Sequence, residues 1–392
     1  MRSMARRWGA LIPAVALAAG IQFAVSPAAQ SAPVGDLRLA PTATAVPDSW
    51  IVVLKDGSTR ASDFGVTAKH TYRSALNGFS ARLTPAKAAR LAADPRVAYV
   101  EQDERVRLND TQTNATWGID RIDQRDLPLS GTYTYSNPLT TVHVYVIDTG
   151  IRTSHREFAG RASIGADTVG GGQNGQDCQG HGTHVAGTIG GKTYGVAKNV
   201  SLVAVRVLDC QGAGSTAGVI AGIDWVTANA RKPAVANMSL GGGSNASLDS
   251  AVKRSIGSGV SYAVAAGNGN ILGQPQNACG YSPARVPEAI TVGATDRTDR
   301  RASFSNYGTC LDVFAPGVGI TSAWRTTDSA TGTISGTSMA SPHVAGVAAL
   351  HLARTPHASP AQIRNALVNN ATNGKVIDPR TGSPNKLLYS VF

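Results

Sequence analysis

The stretch Val142-His143-Val144-Tyr145-Val146-Ile147-Asp148-Thr149-Gly150 decides the fold. It is a β-branched apolar run that ends in a carboxylate and a turn glycine, which predicts a buried strand of a parallel sheet with Asp148 at its carboxyl end. Catalytic and binding groups of open α/β sheets gather at that edge. The stretch therefore predicts an α/β core with a candidate site beside Asp148.

A second segment, Gly180-His181-Gly182-Thr183-His184-Val185-Ala186-Gly187-Thr188-Ile189, places a histidine at the start of a predicted helix. Its small residues allow neighbouring backbone to approach closely. An imidazole at that point can lie between Asp148 and a nucleophile, where it accepts a proton while the carboxylate holds the ring in one tautomer. The segment therefore predicts His181 as a general base.

A third segment, Gly336-Thr337-Ser338-Met339-Ala340-Ser341-Pro342-His343-Val344-Ala345-Gly346, has a serine where a loop turns into a helix. Gly336 permits a tight turn, Pro342 suits a first helical turn, and the apolar run from Val344 to Leu350 is expected to be buried. Unpaired N–H groups at a helix start favour an oxyanion near Ser338. A lone Gly-x-Ser is usually structural, so the chain order Asp, His, Ser is what predicts a nucleophile.

With these flanking residues, the three segments resemble the subtilisin-like serine proteases, and within them the aqualysin-type secreted enzymes of the proteinase K group. The resemblance runs from about Trp50 to Phe392. It implies an α/β fold with a doubly wound, mostly parallel sheet flanked by helices and preceded by a small α+β prodomain. It also implies a catalytic triad of Asp148, His181 and Ser338, and therefore a serine endopeptidase.

Asparagine 268 follows a predicted apolar strand in Val264-Ala265-Ala266-Gly267-Asn268-Gly269-Asn270. Asn-Gly is a common turn pair, and without the triad a plain turn is the default interpretation. The resemblance instead implies that the Asn268 side chain joins the Ser338 backbone N–H in stabilising the oxyanion of acyl transfer. We therefore expect Asn268 to be the fourth catalytic residue.

Two further predicted strands run into glycines, in Leu208–Ser215 and in Asn237–Gly243. Their bare backbone can pair with an extended peptide, although each could also be a plain glycine loop. The resemblance assigns substrate binding to Gly212, Gly214, Ser239, Leu240, Gly241, Ala266 and Gly267. Small, uncharged pocket walls predict broad specificity with a preference for apolar or aromatic side chains before the scissile bond.

The N-terminus has the pattern of a signal peptide. Arg2, Arg6 and Arg7 precede the apolar run Leu11–Val25 and the small-residue stretch Ser26–Ala32, which is too short a pattern for a membrane span. We expect residues 1–32 to be the signal peptide of a secreted, extracellular protein. No other apolar segment of the sequence is long enough to cross a bilayer.

Residues 33–109 are expected to form a prodomain that inhibits its own enzyme. Strands are predicted at Trp50–Leu54, Ala75–Leu83 and Val97–Glu101, with a helix from Thr84 to Ala93. The polar stretch Asn109–Asn114 supplies an exposed junction. The sequence thus predicts self-cleavage near Asn109, with Val106–Asn109 in the active-site cleft, and a catalytic domain over residues 110–392.

All four cysteines, Cys178, Cys210, Cys279 and Cys310, lie in the predicted catalytic domain. In an exported chain they predict two disulfides, for which three pairings are possible. The resemblance selects Cys178 with Cys210 and Cys279 with Cys310. No cysteine stands at the nucleophile position, and no Cys-x-x-Cys pair indicates zinc.

Calcium is the expected cofactor, for stability and not for chemistry. As in the aqualysin-type enzymes, oxygen ligands are offered by Asp120, Asp123, Gln124, Ser130 and Thr132, and a hard cation prefers such donors. The alternative is a solvated helix start with acidic residues. A second site resembling that of proteinase K would use the carbonyls of Pro287 and Ala289 with the carboxylate of Asp312.

Other classes fit less well. A His-x-x-His metal pair of His181 and His184 lacks a third ligand at useful spacing, and Gly-Thr-Ser-Met-Ala differs from the nucleophile elbow of α/β-hydrolases. The 36 basic and 25 acidic residues give a formal net charge of +11, without the basic stripe of a nucleic-acid-binding protein. Polypeptide substrates, no membrane partner and a monomer are expected. A catalytically inactive binding scaffold and a free-standing protease inhibitor remain the alternatives.

Overall fold

The computed structural model describes residues 35–40, 45–104, 110–136 and 141–392. The predicted signal peptide and the predicted cleavage segment Val106–Asn109 lie outside these residues. The described chain forms two compact units. The smaller unit contains the described residues up to Arg38 and the segment Asp48–Glu101. The larger unit contains the described residues of Leu39–Pro47 and Gln102–Phe392.

The smaller unit is built on a five-stranded sheet in the order β1-β5-β2-β4-β3. Its elements in chain order are β1 (Leu37–Arg38), β2 (Ala45–Leu54), a 3₁₀ turn (Ala61–Phe64), β3 (His70–Tyr72), β4 (Gly78–Arg82), α1 (Pro85–Ala92) and β5 (Val97–Glu104). The side chain of Thr84 caps α1 by accepting from the Lys87 N–H. Strand β4 is shorter than the predicted Ala75–Leu83, because the residues before Gly78 form a bend.

The larger unit carries the remaining elements. In chain order these are β6 (Asp110–Thr113), α2 (Trp117–Ile122), β7 (Thr132–Tyr135), β8 (His143–Asp148), β9 (Ala162–Asp167), α3 (His181–Gly190), β10 (Ser201–Arg206), α4 (Thr216–Asn229), β11 (Ala234–Met238), β12 (Gly242–Gly243), α5 (Ala246–Gly257), β13 (Ser261–Ala265), a 3₁₀ turn (Ala278–Gly280), β14 (Tyr281–Ser282), β15 (Ile290–Thr295), β16 (Val313–Pro316), β17 (Ile320–Ala323), β18 (Thr331–Ile334), α6 (Thr337–Arg354), α7 (Pro360–Asn370), β19 (Thr372–Asn373) and β20 (Lys386–Leu387).

The main sheet has nine strands in the order β19-β20-β16-β15-β13-β11-β8-β10-β9. All neighbouring pairs from β9 to β20 are parallel, and only β19 joins β20 in the antiparallel sense. Strand β8 lies near the middle, between β10 and β11, and its residues are almost all buried. The doubly wound, mostly parallel sheet that the resemblance implied is therefore present.

Helices cover both faces of this sheet. One apolar cluster joins α3, α6 and α7 to one face, with Val185, Val344 and Leu367 among its fully buried members. A second cluster joins α4 and α5 to the other face through residues such as Ile223 and Val252. Burial on both faces explains why β8 and β10 are continuous apolar runs and do not alternate with polar residues.

The parallel strands bring several loops to one edge of the sheet. Asp148 ends β8, Ser239 directly follows β11, and Ala266 directly follows β13. Helices α3 and α6, which begin at His181 and Thr337, pack against each other behind this edge. Asp148 is therefore at the carboxyl end of a parallel strand, where open α/β sheets place their sites, and the starts of α3 and α6 bring His181 and Ser338 to the same edge.

Two disulfides, Cys178–Cys210 and Cys279–Cys310, tie loops of the larger unit together. This is the pairing that the resemblance implied. Within the described ranges, no helix combines the length and apolar character that a membrane span requires.

Candidate active site

The contact at the centre of the site joins the ends of β8 and α3. Nδ1 of His181 lies 2.7 Å from Oδ1 of Asp148, and the Asp148 carboxylate is completely buried. The Thr149 backbone N–H donates to the same oxygen at 2.8 Å, while Oδ2 of Asp148 has no hydrogen-bond partner within the described part of the chain. A buried carboxylate bonded to Nδ1 leaves Nε2 of the imidazole to accept a proton, which is the orientation that a general base requires.

The pKa of His181 is set by opposing influences. Burial by itself lowers the pKa, but the charge of Asp148, its hydrogen bond and the charge of Asp177 raise it above its ordinary value. The ring is held by the start of α3, where Gly180 has φ +118 and a Cβ would lie 2.6 Å from the Trp324 ring. Glycine is therefore required immediately before the histidine.

The nucleophile candidate, Ser338, is the second residue of α6. Its hydroxyl donates to the backbone oxygen of Ser239 at 3.0 Å, and the Ser239 hydroxyl donates to the Ser338 carbonyl at 2.7 Å. Buried Asn237 supports this pair, because its side chain donates to the Ser239 hydroxyl and accepts from Ser341. The described contacts include no hydrogen bond between Ser338 and His181, so the hydroxyl must turn from Ser239 to reach the imidazole.

The side-chain amide of Asn268 is held in one orientation by Thr337. Its Oδ1 accepts from both the backbone N–H and the hydroxyl of Thr337, each at 2.8 Å. A Cβ placed on Gly336 would lie 3.4 Å from Nδ2 of Asn268 and 3.6 Å from the Ser338 nitrogen. Two donors therefore border one small space beside the serine, which is the arrangement needed to stabilise an oxyanion.

The loop that carries Asn268 is held by Asn306, a fully buried residue. The Asn306 side chain donates to the Ala266 carbonyl at 2.9 Å and accepts from the N–H groups of Gly269 and Gln276 at 3.0 and 2.8 Å. Its backbone N–H donates to the Gly267 carbonyl. Asn306 thus fixes the backbone on both sides of Asn268.

Two cavities border the site, and the segment Leu240–Gly243 lines both. The first has a volume of about 580 Å³ and is lined by His181, Gly212, Gly214, Ser239 and Gly241, among others. The second, of about 220 Å³, is lined by residues that include Leu240, Ala266, Gly267, Asn268 and Ser338. Neither lining contains an acidic or basic residue other than His181. The structure therefore places every predicted substrate-binding residue around these two cavities.

Four of the five candidate calcium ligands near α2 are joined by hydrogen bonds, and the fifth, Asp123, lies close enough to Asp120 to feel its charge. Asp120 accepts from the backbone and hydroxyl of Ser130, Gln124 accepts from the Ser130 N–H, and the hydroxyls of Ser130 and Thr132 lie 2.8 Å apart. Asp123 accepts from the Thr134 N–H, but its buried Oδ1 has no hydrogen-bond partner among the residues that the structure describes. Burial, with the nearby charge of Asp120, raises the pKa of Asp123 to about 6. An oxygen-rich cluster with an unsatisfied carboxylate oxygen fits a hard divalent cation.

The second predicted calcium site differs. Oδ2 of Asp312 accepts from the Thr291 N–H at 2.8 Å, and Oδ1 pairs with the guanidinium of Arg364. Both oxygens of the Asp312 carboxylate, the predicted charged ligand of this site, are thus already bonded within the protein. The site with the Pro287 and Ala289 carbonyls stays a prediction from the resemblance, without a free carboxylate oxygen to support it.

The histidines near the triad are packed within the core. Nε2 of His184 lies 2.9 Å from the Ile320 carbonyl, and Nδ1 of His343 lies 2.8 Å from the Met339 carbonyl. Burial lowers the pKa of each to about 4, so both are neutral at pH 7. Over the described part of the chain, no three His, Cys, Asp or Glu side chains are grouped as metal ligands. His181 and His184 instead have different partners, the Asp148 carboxylate and the Ile320 carbonyl.

Two residues of the site had no signal in the sequence: Asp177 and Asn306. Asp177 lies in a glycine-rich loop and Asn306 follows a serine, which is the composition of ordinary turns. Thr149 is 28 positions from Asp177, and the side-chain partners of Asn306 are 30 to 40 positions away from it, so only the folded chain shows these contacts.

Comparison with known protein families identifies two regions. Residues 140–386 match the subtilase family, and residues 49–109 match the peptidase inhibitor I9 family. The two matches fall on the parts that the sequence predicted to be the catalytic domain and the prodomain.

Individual proteins are also similar to the chain. An extracellular serine proteinase of Thermus sp. (strain Rt41A) is 58% identical over 84% of this chain and 79% of that protein. Alkaline serine exoprotease A of Vibrio alginolyticus is 51% identical over 91% of this chain and 70% of that protein. The crystal structure of a cold adapted subtilisin-like serine proteinase is 56% identical, with a TM-score of 0.68, and covers 71% of this chain and 100% of that one.

Proposed function

Because the chain belongs to the subtilase family of serine proteases, we propose that it is a secreted, self-processing endopeptidase. Its catalytic residues are Asp148, His181, Ser338 and Asn268. The observation that carries the proposal is the buried Asp148–His181 hydrogen bond of 2.7 Å. This bond lies at the same sheet edge as Ser338, whose backbone N–H and the Asn268 amide both border the space beside Gly336. A plain structural serine needs neither feature.

The proposed reaction is acyl transfer to Ser338. His181 takes the hydroxyl proton on Nε2 as the serine oxygen bonds to the scissile carbonyl carbon, and the carbonyl oxygen becomes an oxyanion. Asn268 Nδ2 and the Ser338 N–H donate to that oxygen. The intermediate then expels the amine, which takes the proton from His181, and a water activated by His181 hydrolyses the acyl-enzyme. Asp148 holds the imidazole and stabilises its charged form.

We assign the 220 Å³ cavity to the side chain before the scissile bond. Its lining is uncharged, and burying a charged side chain there without a partner would be costly, whereas an apolar or aromatic one gains from burial. The glycine backbones of the first cavity are suited to pair with an extended polypeptide. These features support broad specificity with a preference for apolar and aromatic residues.

Secretion as a zymogen is supported by one relative and by the domain match. The similar Thermus protein is named extracellular, and the N-terminal unit matches the I9 inhibitor family. We propose that residues 33–109 inhibit the enzyme until the chain is cut near Asn109. The mature domain over residues 110–392 then acts as a monomer on polypeptides. We propose no nucleic-acid or membrane partner for it.

We also propose one structural calcium ion, held by Asp120, Asp123, Gln124, Ser130 and Thr132. This proposal is supported by the buried Oδ1 of Asp123, which has no hydrogen-bond partner among the described residues. Calcium would neutralise two nearby carboxylates there and take no part in the chemistry.

The test combines labelling with processing. A fluorophosphonate or phenylmethylsulfonyl fluoride should modify Ser338 in the parent enzyme and abolish hydrolysis of an apolar-aromatic peptide anilide. Ser338→Ala should lose the activity and remain an uncut precursor in a protease-deficient host, as N-terminal sequencing would show. Secretion of processed Ser338→Ala would contradict self-processing, and residual hydrolysis by it would contradict the assignment of the nucleophile. A parent protein that hydrolyses nothing would indicate a binding scaffold.

A further inference from the structure

Asp177 bonds to three separate parts of the active site. Its Oδ1 accepts from the Thr149 hydroxyl at 3.0 Å and from the N–H groups of Gln179 and Gly180, both at 2.8 Å. Its Oδ2 accepts from the backbone and hydroxyl of Thr183 at 2.9 and 2.6 Å. Thr149 follows Asp148, Gly180 precedes His181, and Thr183 lies in the first turn of α3.

These bonds fix the distance between the two ends of the Asp148–His181 contact. The Thr149 hydroxyl, while donating to Asp177, accepts from the Gly182 N–H at 2.9 Å, so strand β8 and helix α3 are joined on either side of the imidazole. The His181 N–H itself donates to the Gln179 side chain at 2.8 Å. The Asp177 carboxylate can accept hydrogen bonds from five donors at once because each ionised oxygen accepts more than one.

The charge of Asp177 acts in the same direction as its geometry. Among the described residues, the charges of Asp148, at the end of β8, and Asp177, in the loop before α3, affect the pKa of His181. His184 lies one turn further along α3 and interacts electrostatically with His181. The two carboxylates raise the pKa of His181, while His184 is neutral because burial lowers its pKa to about 4. Asp177 therefore also stabilises the imidazolium that forms during the reaction.

We propose that Asp177 is a positioning residue of the catalytic machinery, which holds His181 at bonding distance from Asp148 and supplies a second negative charge to it. It acts through His181 and does not touch the substrate. The proposal rests on the proposed function, in which His181 is the general base.

The central experiment compares Asp177→Asn with the parent over a range of pH, each normalised by active-site titration. Asparagine keeps the size of the side chain but has no charge, and its NH₂ group cannot accept from either Thr183 donor or from the loop N–H groups. We expect kcat to fall by roughly tenfold to a hundredfold with KM nearly unchanged. The acidic limb of the kcat/KM profile should move to lower pH, because loss of a negative charge lowers the pKa of His181.

Two further variants separate the effects. Thr183→Val removes the hydroxyl that donates to Asp177 and accepts from the Arg152 N–H, but it keeps the charge of Asp177, and it should lower kcat without moving the acidic limb. Asp224→Asn removes a charge from the exposed side of α4 and should match the parent in both respects. Were Asp177→Asn not to yield folded enzyme, Thr183→Val would decide alone, and a kcat equal to that of the parent would overturn the proposal.

Failure of the inference can be told apart from failure of the proposed function. If Ser338→Ala is inactive but Asp177→Asn keeps the parental kcat and pH profile, only the role of Asp177 is wrong. If Asp177→Asn merely melts at lower temperature, with kcat and the acidic limb unchanged per active site, the residue is structural and the inference is likewise overturned.

Discussion

Asn268 shows how single residues are oriented for chemistry by their neighbours. Thr337 donates twice to its Oδ1, so the amide cannot turn without losing both bonds, and Nδ2 must face the space beside Ser338. Asn306 holds the backbone around it. This orientation exists before substrate arrives, and a donor that is already oriented costs no reorganisation when the oxyanion forms.

Replacing Asn268 should therefore affect the transition state more than substrate binding. For Asn268→Leu we expect the barrier to rise by about 3 to 4 kcal/mol, the range known for oxyanion donors of this enzyme class, with KM little changed. Steady-state kinetics on titrated enzyme measure both constants. A large rise in KM at constant kcat would mean that Asn268 only holds the substrate.

Gly336→Ala tests the same space from the opposite side. Its φ of 162° is extended backbone open to any residue, and the added Cβ would meet nothing closer than 3.4 Å, so the fold should be retained. The methyl group would, however, lie beside both donors and exclude the substrate oxygen. We expect a melting temperature near that of the parent and a large loss of kcat; parental kcat would show that the oxyanion binds elsewhere.

At the scale of elements, the loop between α2 and β7 is the part that a metal ion should hold. Asp120 accepts hydrogen bonds from Ser130 and Gly131. The buried Oδ1 of Asp123, by contrast, has no hydrogen-bond partner among the described residues. A buried, unpaired carboxylate is unfavourable for the folded state. An ion that binds only the folded protein stabilises it, by about 2.7 kcal/mol at a hundredfold excess over its dissociation constant.

Chelators should therefore lower heat resistance more than activity at moderate temperature. Asp123→Asn should lower the melting temperature in calcium and abolish the further loss on chelation. Asp126→Asn is the matched control in the same loop, because its exposed carboxylate pairs with Lys375, a surface contact that contributes little. Immediate loss of all activity on adding chelator in the cold would indicate a catalytic metal instead.

At the scale of the larger unit, the two disulfides close chain segments of nearly equal length, with sequence separations of 32 and 31. Constraint of the unfolded chain depends on loop length, so the two should stabilise equally, by about 3 to 4 kcal/mol each. Their positions differ. Cys178 follows Asp177, and Cys210 precedes Gln211 and Gly212, which line the first cavity.

Replacing each pair by serine should separate stability from catalysis. Both double variants should melt at similarly reduced temperatures in calorimetry, because each removes a cross-link of the same span. Only the loss of Cys178–Cys210 should reduce kcat, since it releases the loop that carries Asp177. Equal kinetic effects from the two double variants would contradict this division.

Much of this arrangement could be predicted from local patterns. The apolar run before Asp148 predicted a buried parallel strand, and the small residues after His181 and Ser338 predicted two helix starts; β8, α3 and α6 lie at those places. These elements were predictable because hydrophobic period, turn glycines and helix-capping preferences act over a few residues. The boundary of β4 was predicted less well, since a bend before Gly78 depends on its partners in the sheet.

What the sequence alone determined was therefore the type and order of the elements, the Asp-His-Ser order and the chemistry that these side chains can perform. The tertiary structure decided the rest: that Ser338 donates to Ser239, that Thr337 orients the Asn268 amide, that Arg364 pairs with Asp312, and that Asp177 joins β8 to α3. The physical reason is distance along the chain. These hydrogen bonds join residues 28 to 99 positions apart. They exist only after the parallel sheet has brought its loops together, and no local pattern encodes which donor meets which acceptor there.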